Sequence, residues 1–97
     1  MGYYKLAQIE FCSGKIANSI KNYASAIRLA PDFADAYGDK GVALARIGQF
    51  DEAISCYDEA IGLDQNYAEA FYNKGLALVE LGKSADALTA FRAAVMR

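Results

Sequence analysis

Apolar residues return along this chain at helical intervals, and the runs are broken at evenly spaced glycines. In the middle third, Tyr37, Leu44 and Ile47 share one face, with Gly41 flat between them. After Gly48, Ala53, Ile54, Tyr57, Ala60 and Ile61 form a stripe at i, i+1, i+4, i+7 and i+8. Gly48 can take the positive φ that ends a helix. Asp51 and Glu52 would sit in the first turn of the next one, where negative charge suits the helix dipole. Pro31 cannot continue a helix, and Asp32 behind it is a candidate N-cap, with Asp35 three residues on. Asn66 and Glu69 have the spacing of a capping box. The pattern predicts helices over 2–13, 17–29, 34–47, 51–63, 68–81 and 85–96.

The same pattern repeats every 34 residues. Gly14, Gly48 and Gly82 keep that spacing, as do Tyr3, Tyr37 and Phe71, then Ala7, Gly41 and Gly75. Tyr23, Tyr57 and Phe91 follow it, with Ala26, Ala60 and Ala94. Ser19, Ala53 and Ala87 make a series of small residues, and Ile20, Ile54 and Leu88 an aliphatic one. A period of this length means stacked supersecondary units, here pairs of helices.

An aromatic, then a small residue, Leu, Gly, Ala, aromatic and Ala in this register resembles the tetratricopeptide repeat. The second copy supplies Tyr37, Gly41, Leu44, Gly48, Ala53, Tyr57 and Ala60. The third supplies Phe71, Gly75, Leu78, Gly82, Ala87, Phe91 and Ala94, and the first Tyr3, Ala7, Gly14, Ser19, Tyr23, Ala26 and Pro31. The resemblance covers the whole chain as one domain of residues 1–97, with repeats of about 1–33, 34–67 and 68–97. It implies an all-α fold, a right-handed superhelical solenoid of antiparallel helix pairs. Lys40 and Lys74 depart from the pattern's Leu, and their stems can lie along the apolar seam with the charge in water. Glu10 stands where Leu44 and Leu78 do, which predicts a looser first unit. Gln65 replaces the Pro of the first linker and predicts a less sharply turned second one.

Composition narrows the function. Of 97 residues, 55% are hydrophobic and 23% charged, so the chain folds, and no apolar run reaches the ~18 residues of a membrane span. There is no His, which removes the Ser-His, Cys-His and His-metal arrangements of much catalysis. Asp35, Asp39, Glu69 and Glu80 could pair as carboxylates, but there is no phosphate or calcium loop beside them. The expectation is a protein that is not an enzyme and takes no cofactor or metal. A net charge of −2 argues against binding nucleic acid. Cys12 and Cys56 read as small hydrophobes, and with no leader pattern at the start the expected setting is reducing and cytoplasmic, away from membrane.

The resemblance implies a binding scaffold whose concave groove is lined by the first helix of each pair and takes a protein or peptide. Removing the core series leaves Tyr4, Lys5, Gln8, Phe11 and Cys12 in the first copy. The second leaves Asp35, Gly38, Asp39, Val42, Ala45 and Arg46, and the third Glu69, Tyr72, Asn73, Leu76, Val79 and Glu80. Those expected to meet a partner are Tyr4, Gln8, Asp35, Asp39, Val42, Arg46, Glu69, Tyr72, Asn73 and Leu76. Relatives that capture the C-terminal carboxylates of heat-shock chaperones use Lys, Asn and Arg side chains. Their positions match Tyr4, Gln8, Asp39, Glu69 and Asn73 here, without one cation, so a co-chaperone role of that type is not expected. Net charge is +2 over residues 1–33, −5 over 34–67 and +1 over 68–97, which favours a basic partner at the centre. The stripe Leu88, Phe91 and Val95 has no following pair to cover it. Either the chain is a fragment of a longer array, or it forms a homo-oligomer through this C-terminal helix. A self-assembly module is therefore the alternative function.

Overall fold

A computed structural model describes residues 2–97. Six α-helices follow one another: α1 (Gly2–Cys12), α2 (Ile16–Leu29), α3 (Ala34–Arg46), α4 (Phe50–Leu63), α5 (Ala68–Glu80) and α6 (Ser84–Val95). Every end lies within one residue of its expected place.

Within each pair, short turns reverse the chain. Gly14, Gly48 and Gly82 have φ of 83°, 82° and 76°, a conformation open to glycine. Each lets the amide beyond it reach back to the last helical turn: Lys15 to the Glu10 carbonyl, Gln49 to Leu44 and Lys83 to Leu78, at 2.8–2.9 Å. The two helices of a pair then run antiparallel and touch through small residues. A Cβ placed on Gly41 would lie 2.5 Å from Cε1 of Tyr57, and one on Gly75 would lie 2.5 Å from Cε1 of Phe91. Ala7 holds the equivalent place against Tyr23 in the first pair. The ring of the second helix thus seats against bare backbone in the second and third pairs and against a single methyl in the first.

Between pairs the core is built of alanine. Ala43 packs with Ala7 and Tyr23, and Ala77 with Leu44, Ala53 and Tyr57. Ser19 stands in the small-residue series of Ala53 and Ala87, fully buried, with its hydroxyl donating to the Ile16 carbonyl at 2.7 Å. Contacts join each helix to its neighbours in sequence, with a lighter touch between α3 and α5.

Two local expectations need correction. Neither Asp32 nor Asn66 caps a helix: Phe33 and Tyr67 hold the N-cap positions of α3 and α5, with no side-chain cap hydrogen bond. The Asn66 amide instead donates to Oδ1 of Asp64, at 3.0 Å. The linker containing Gln65 turns as tightly as the one containing Pro31. In each, the aromatic amide donates to the carbonyl three residues back, Phe33 to Ala30 at 3.0 Å and Tyr67 to Asp64 at 3.1 Å. The first unit is the looser one, as expected: α1 buries only Ala7, where α3 buries five residues and α5 four, although Oε1 of Glu10 accepts a 2.6 Å hydrogen bond from Nδ2 of Asn22 across the α1–α2 seam. Lys74 lies along its seam as expected, half-buried, and its ammonium meets Asp58 at 2.7 Å.

Candidate functional site

Two groups of the expected binding residues come together on the first helices, and two residues, Gln8 and Tyr72, lie apart.

The first group is acidic and ringed by tyrosines. The Tyr4 hydroxyl donates to Oδ2 of Asp39 at 2.6 Å, tying α1 to α3. Burial raises the Asp39 carboxyl above its ordinary pKa, and the neighbouring Asp35 and Glu69 raise it further, while the Tyr4 hydrogen bond pulls it down. Burial also raises the phenols of Tyr4 and Tyr67, each helped by Asp39 and Asp35, and holds Tyr23 up to about 12. Among the described residues, no cation contributes to the shift of Asp39.

The second group is apolar with charged edges. Val42, Ala45, Arg46, Asn73, Leu76 and Val79 line an open groove of about 540 Å³ between α3 and α5, with Glu80 at its rim. Phe50 and Tyr57 of α4 form part of its floor. The Arg46 guanidinium lies 4.9 Å from the centre of the Phe11 ring, which holds it over the groove edge. Gln8 is half-buried on α1.

Tyr72 belongs to neither group. It is exposed and packs against Phe91, with ring centres 5.5 Å apart, at the α6 end of the array. Glu69 reaches both the acidic group and this end. The sequence reading missed Tyr67, whose ring lies against Gly38. The 34-residue spacing of Phe33 and Tyr67 is the signal that could have found it. Phe50 and Tyr57 were missed because they come from a second helix.

One consequence is measurable at once. A carboxyl with a raised pKa in the folded chain holds its proton more tightly there than in the unfolded chain. Between those two values stability therefore falls as pH rises. Asp39→Asn keeps an acceptor for Tyr4 and removes the charge that burial, Asp35 and Glu69 oppose. Its melting temperature is expected to exceed that of the parent chain at pH 7. The gap should narrow as the pH falls toward the ordinary carboxylate range. Melting curves at several pH values check this; a variant less stable at pH 7 would contradict it.

Among the described residues no group of His, Cys, Asp and Glu is placed to hold a metal ion, and no helix is long and apolar enough to cross a membrane.

Comparison with known proteins places the fold. The family model described as TPR repeat matches residues 7–48 and 41–82, and the one described as Tetratricopeptide repeat matches 68–97. No curated protein matches the chain. Among solved structures, the crystal structure of MamA superposes with a TM-score of 0.95 at 29% identity, over 97% of this chain and 55% of MamA. The chain thus spans about half of that relative. The second TPR of Spaghetti (RPAP3), bound to the HSP90 peptide SRMEEVD, superposes with a TM-score of 0.95 at 26% identity, over 98% of this chain and 88% of that one. The TPR2B domain of yeast Sti1, in complex with an Hsp70 peptide, gives 0.89 at 30% identity, over 97% and 78%.

Proposed function

The chain belongs to the tetratricopeptide repeat family, and from that premise we propose that it is a peptide-binding module whose ligand lies along α3 and α5. The observation that carries this reading is the groove of Val42, Ala45, Leu76 and Val79 with Arg46 and Asn73 beside it. It offers apolar contact for an anchor side chain and a few polar groups to orient a backbone, the usual build of a ligand site. Peptide-bound relatives of the same fold support it.

The acidic group sets the preference. Asp35, Asp39 and Glu69 lie toward one end of the groove with no compensating cation on Asp39. A basic side chain there regains Coulomb energy, whereas a carboxylate meets like charge. The ligand is then a basic or neutral peptide with an apolar anchor, and an acidic carboxy-terminal peptide such as SRMEEVD is disfavoured. Exposed Leu88 and Val95 favour a second reading, self-association through α6, which light scattering across a concentration series decides.

Peptide arrays read at two salt concentrations test the main reading. Basic peptides should be retained, more strongly at low salt. Asp39→Ala together with Glu69→Ala should weaken them by about tenfold, the effect of losing one or two charge-assisted contacts. Selective retention of SRMEEVD, or indifference to the double substitution, would overturn the preference. Leu76→Asp should abolish binding of every class; unchanged binding would remove the groove itself.

A further inference from the structure

Asp39, Val42 and Arg46 share one face of α3 at helical spacing, with an acid one turn before the apolar residue and a cation one turn after it. From Asp39 to Arg46 is about 10 Å along the helix axis. Val42 and Arg46 line the groove between α3 and α5, and the same register on α5 puts Asn73, Leu76 and Glu80 on the opposite wall. The α3 wall therefore carries opposite charges at its two ends.

Both ends are held in place by a neighbouring ring and keep hydrogen-bonding capacity in reserve. The Tyr4 hydroxyl occupies Oδ2 of Asp39 at 2.6 Å, and no donor among the described residues reaches Oδ1. Tyr4 is itself fixed by Phe33, 4.6 Å away ring to ring. At the other end the Arg46 guanidinium lies over Phe11, 4.9 Å from the ring centre, and so leans toward α1. A cation over a ring is held by the π face, which uses none of its N–H donors. Among the described residues Arg46 meets no carboxylate, for their one ion pair joins Lys74 to Asp58. Glu80 stands across the groove on α5 and does not neutralise it.

We infer that the groove selects an extended peptide carrying, on alternate residues, a basic side chain, an apolar anchor and an acidic side chain, with Arg46 receiving the acid. This rests on the peptide-binding reading above and adds to it an order of charges. In an extended strand, side chains two residues apart face the same way. Basic, apolar and acidic residues at i, i+2 and i+4 then run past Asp39, Val42 and Arg46. They span about 13 Å against about 10 Å of helix, and the long side chains of Arg46 and of the ligand take up the difference. The residues between them face α5, so the one that meets Arg46 is not the one that meets Glu80. A peptide with basic residues alone sets a like charge against Arg46, and one with acids alone sets a like charge against Asp39. A peptide of no net charge, in the right order, matches both ends.

The test titrates peptides blocked at both ends, with the core Lys-Ser-Leu-Ser-Glu or its reverse, into the isotopically labelled chain, and carries the tighter order forward. Saturable shifts of the Val42 and Leu76 amides show that the groove is filled, whatever the charges. Exchanging Glu for Lys in the peptide should weaken it about tenfold, as attraction at Arg46 turns to repulsion. Arg46 is exposed on its helix, so substitutions there leave the fold intact. Arg46→Gln should remove the preference for Glu, and Arg46→Glu should reverse it, so that the peptide with two lysines binds the tighter. Filling of the groove with no dependence on the peptide's Glu would overturn the inference and leave the groove reading standing. So would a dependence that survives Arg46→Gln. Absence of shifts at Val42 and Leu76 with every peptide would overturn both.

Discussion

Tyr57→Ala lowers the stability of the chain by about 3–5 kcal/mol, the range for deleting a buried aromatic ring. Tyr57 is 2% exposed and sits where three parts of the array meet: Gly41 of its own pair, Ala53 and Leu44 beside it, and Ala77 of the next pair. A domain of this size is stable by roughly 5–15 kcal/mol, so the variant loses a large fraction of its margin. Tyr57→Phe keeps the ring and should melt much closer to the parent. Denaturant unfolding of the three proteins measures both steps. A Tyr57→Ala protein within about 1 kcal/mol of the parent would mean that the ring is not the keystone of the central unit.

The second large effect comes from the opposite change. Gly75→Leu forces four carbons into a contact where even a single Cβ lies 2.5 Å from the Phe91 ring. Overpacking of this kind costs about 1–3 kcal/mol, against a helix-propensity gain of about 1 kcal/mol or less for leaving glycine. Each net 1 kcal/mol lowers the melting temperature of a domain this size by roughly 4–8 °C. The paired variant Gly75→Ala with Phe91→Leu separates clash from propensity, because a slimmer partner should relieve much of the penalty. Additive effects of the two substitutions would show that the helices do not meet there. An unchanged melt for Gly75→Leu would do the same.

Why the folding pattern was legible, and the site less so, follows from the same residues. Gly14, Gly48 and Gly82 announce the turns because their positive φ leaves few alternatives. Gly41 and Gly75 announce the helix contact because a ring seats there only against a very small residue, as it does against Ala7 in the first pair. Asp32 and Asn66 misled for a related reason. Side-chain capping would have been locally favourable, but Phe33 and Tyr67 take the N-cap positions and bury their rings against the preceding pair. Tertiary packing outweighs a single capping hydrogen bond of about 1 kcal/mol. Glu10 marked the looser first unit correctly, but its hydrogen bond to Asn22 on the next helix lay out of reach of a helical period. The groove residues could be found by subtracting the core from each first helix. Which of them converge depends on the register between units. That register gathers Val42, Arg46, Asn73 and Leu76 in one groove and sends Tyr72 to the end of the array.

Because the helices touch almost solely their neighbours in the chain, nothing among the described residues clasps the first pair to the last. Such an array comes apart like a zip rather than a knot, opening from its ends inward, with each pair held by its own strength and its grip on the next. Backbone amides of α6 should therefore exchange with solvent sooner than those of α3 and α4. A peptide lying across α3 and α5 would act as a clip over the join between the second and third pairs. Its arrival would be felt as slowed exchange in α6, a helix outside the central groove.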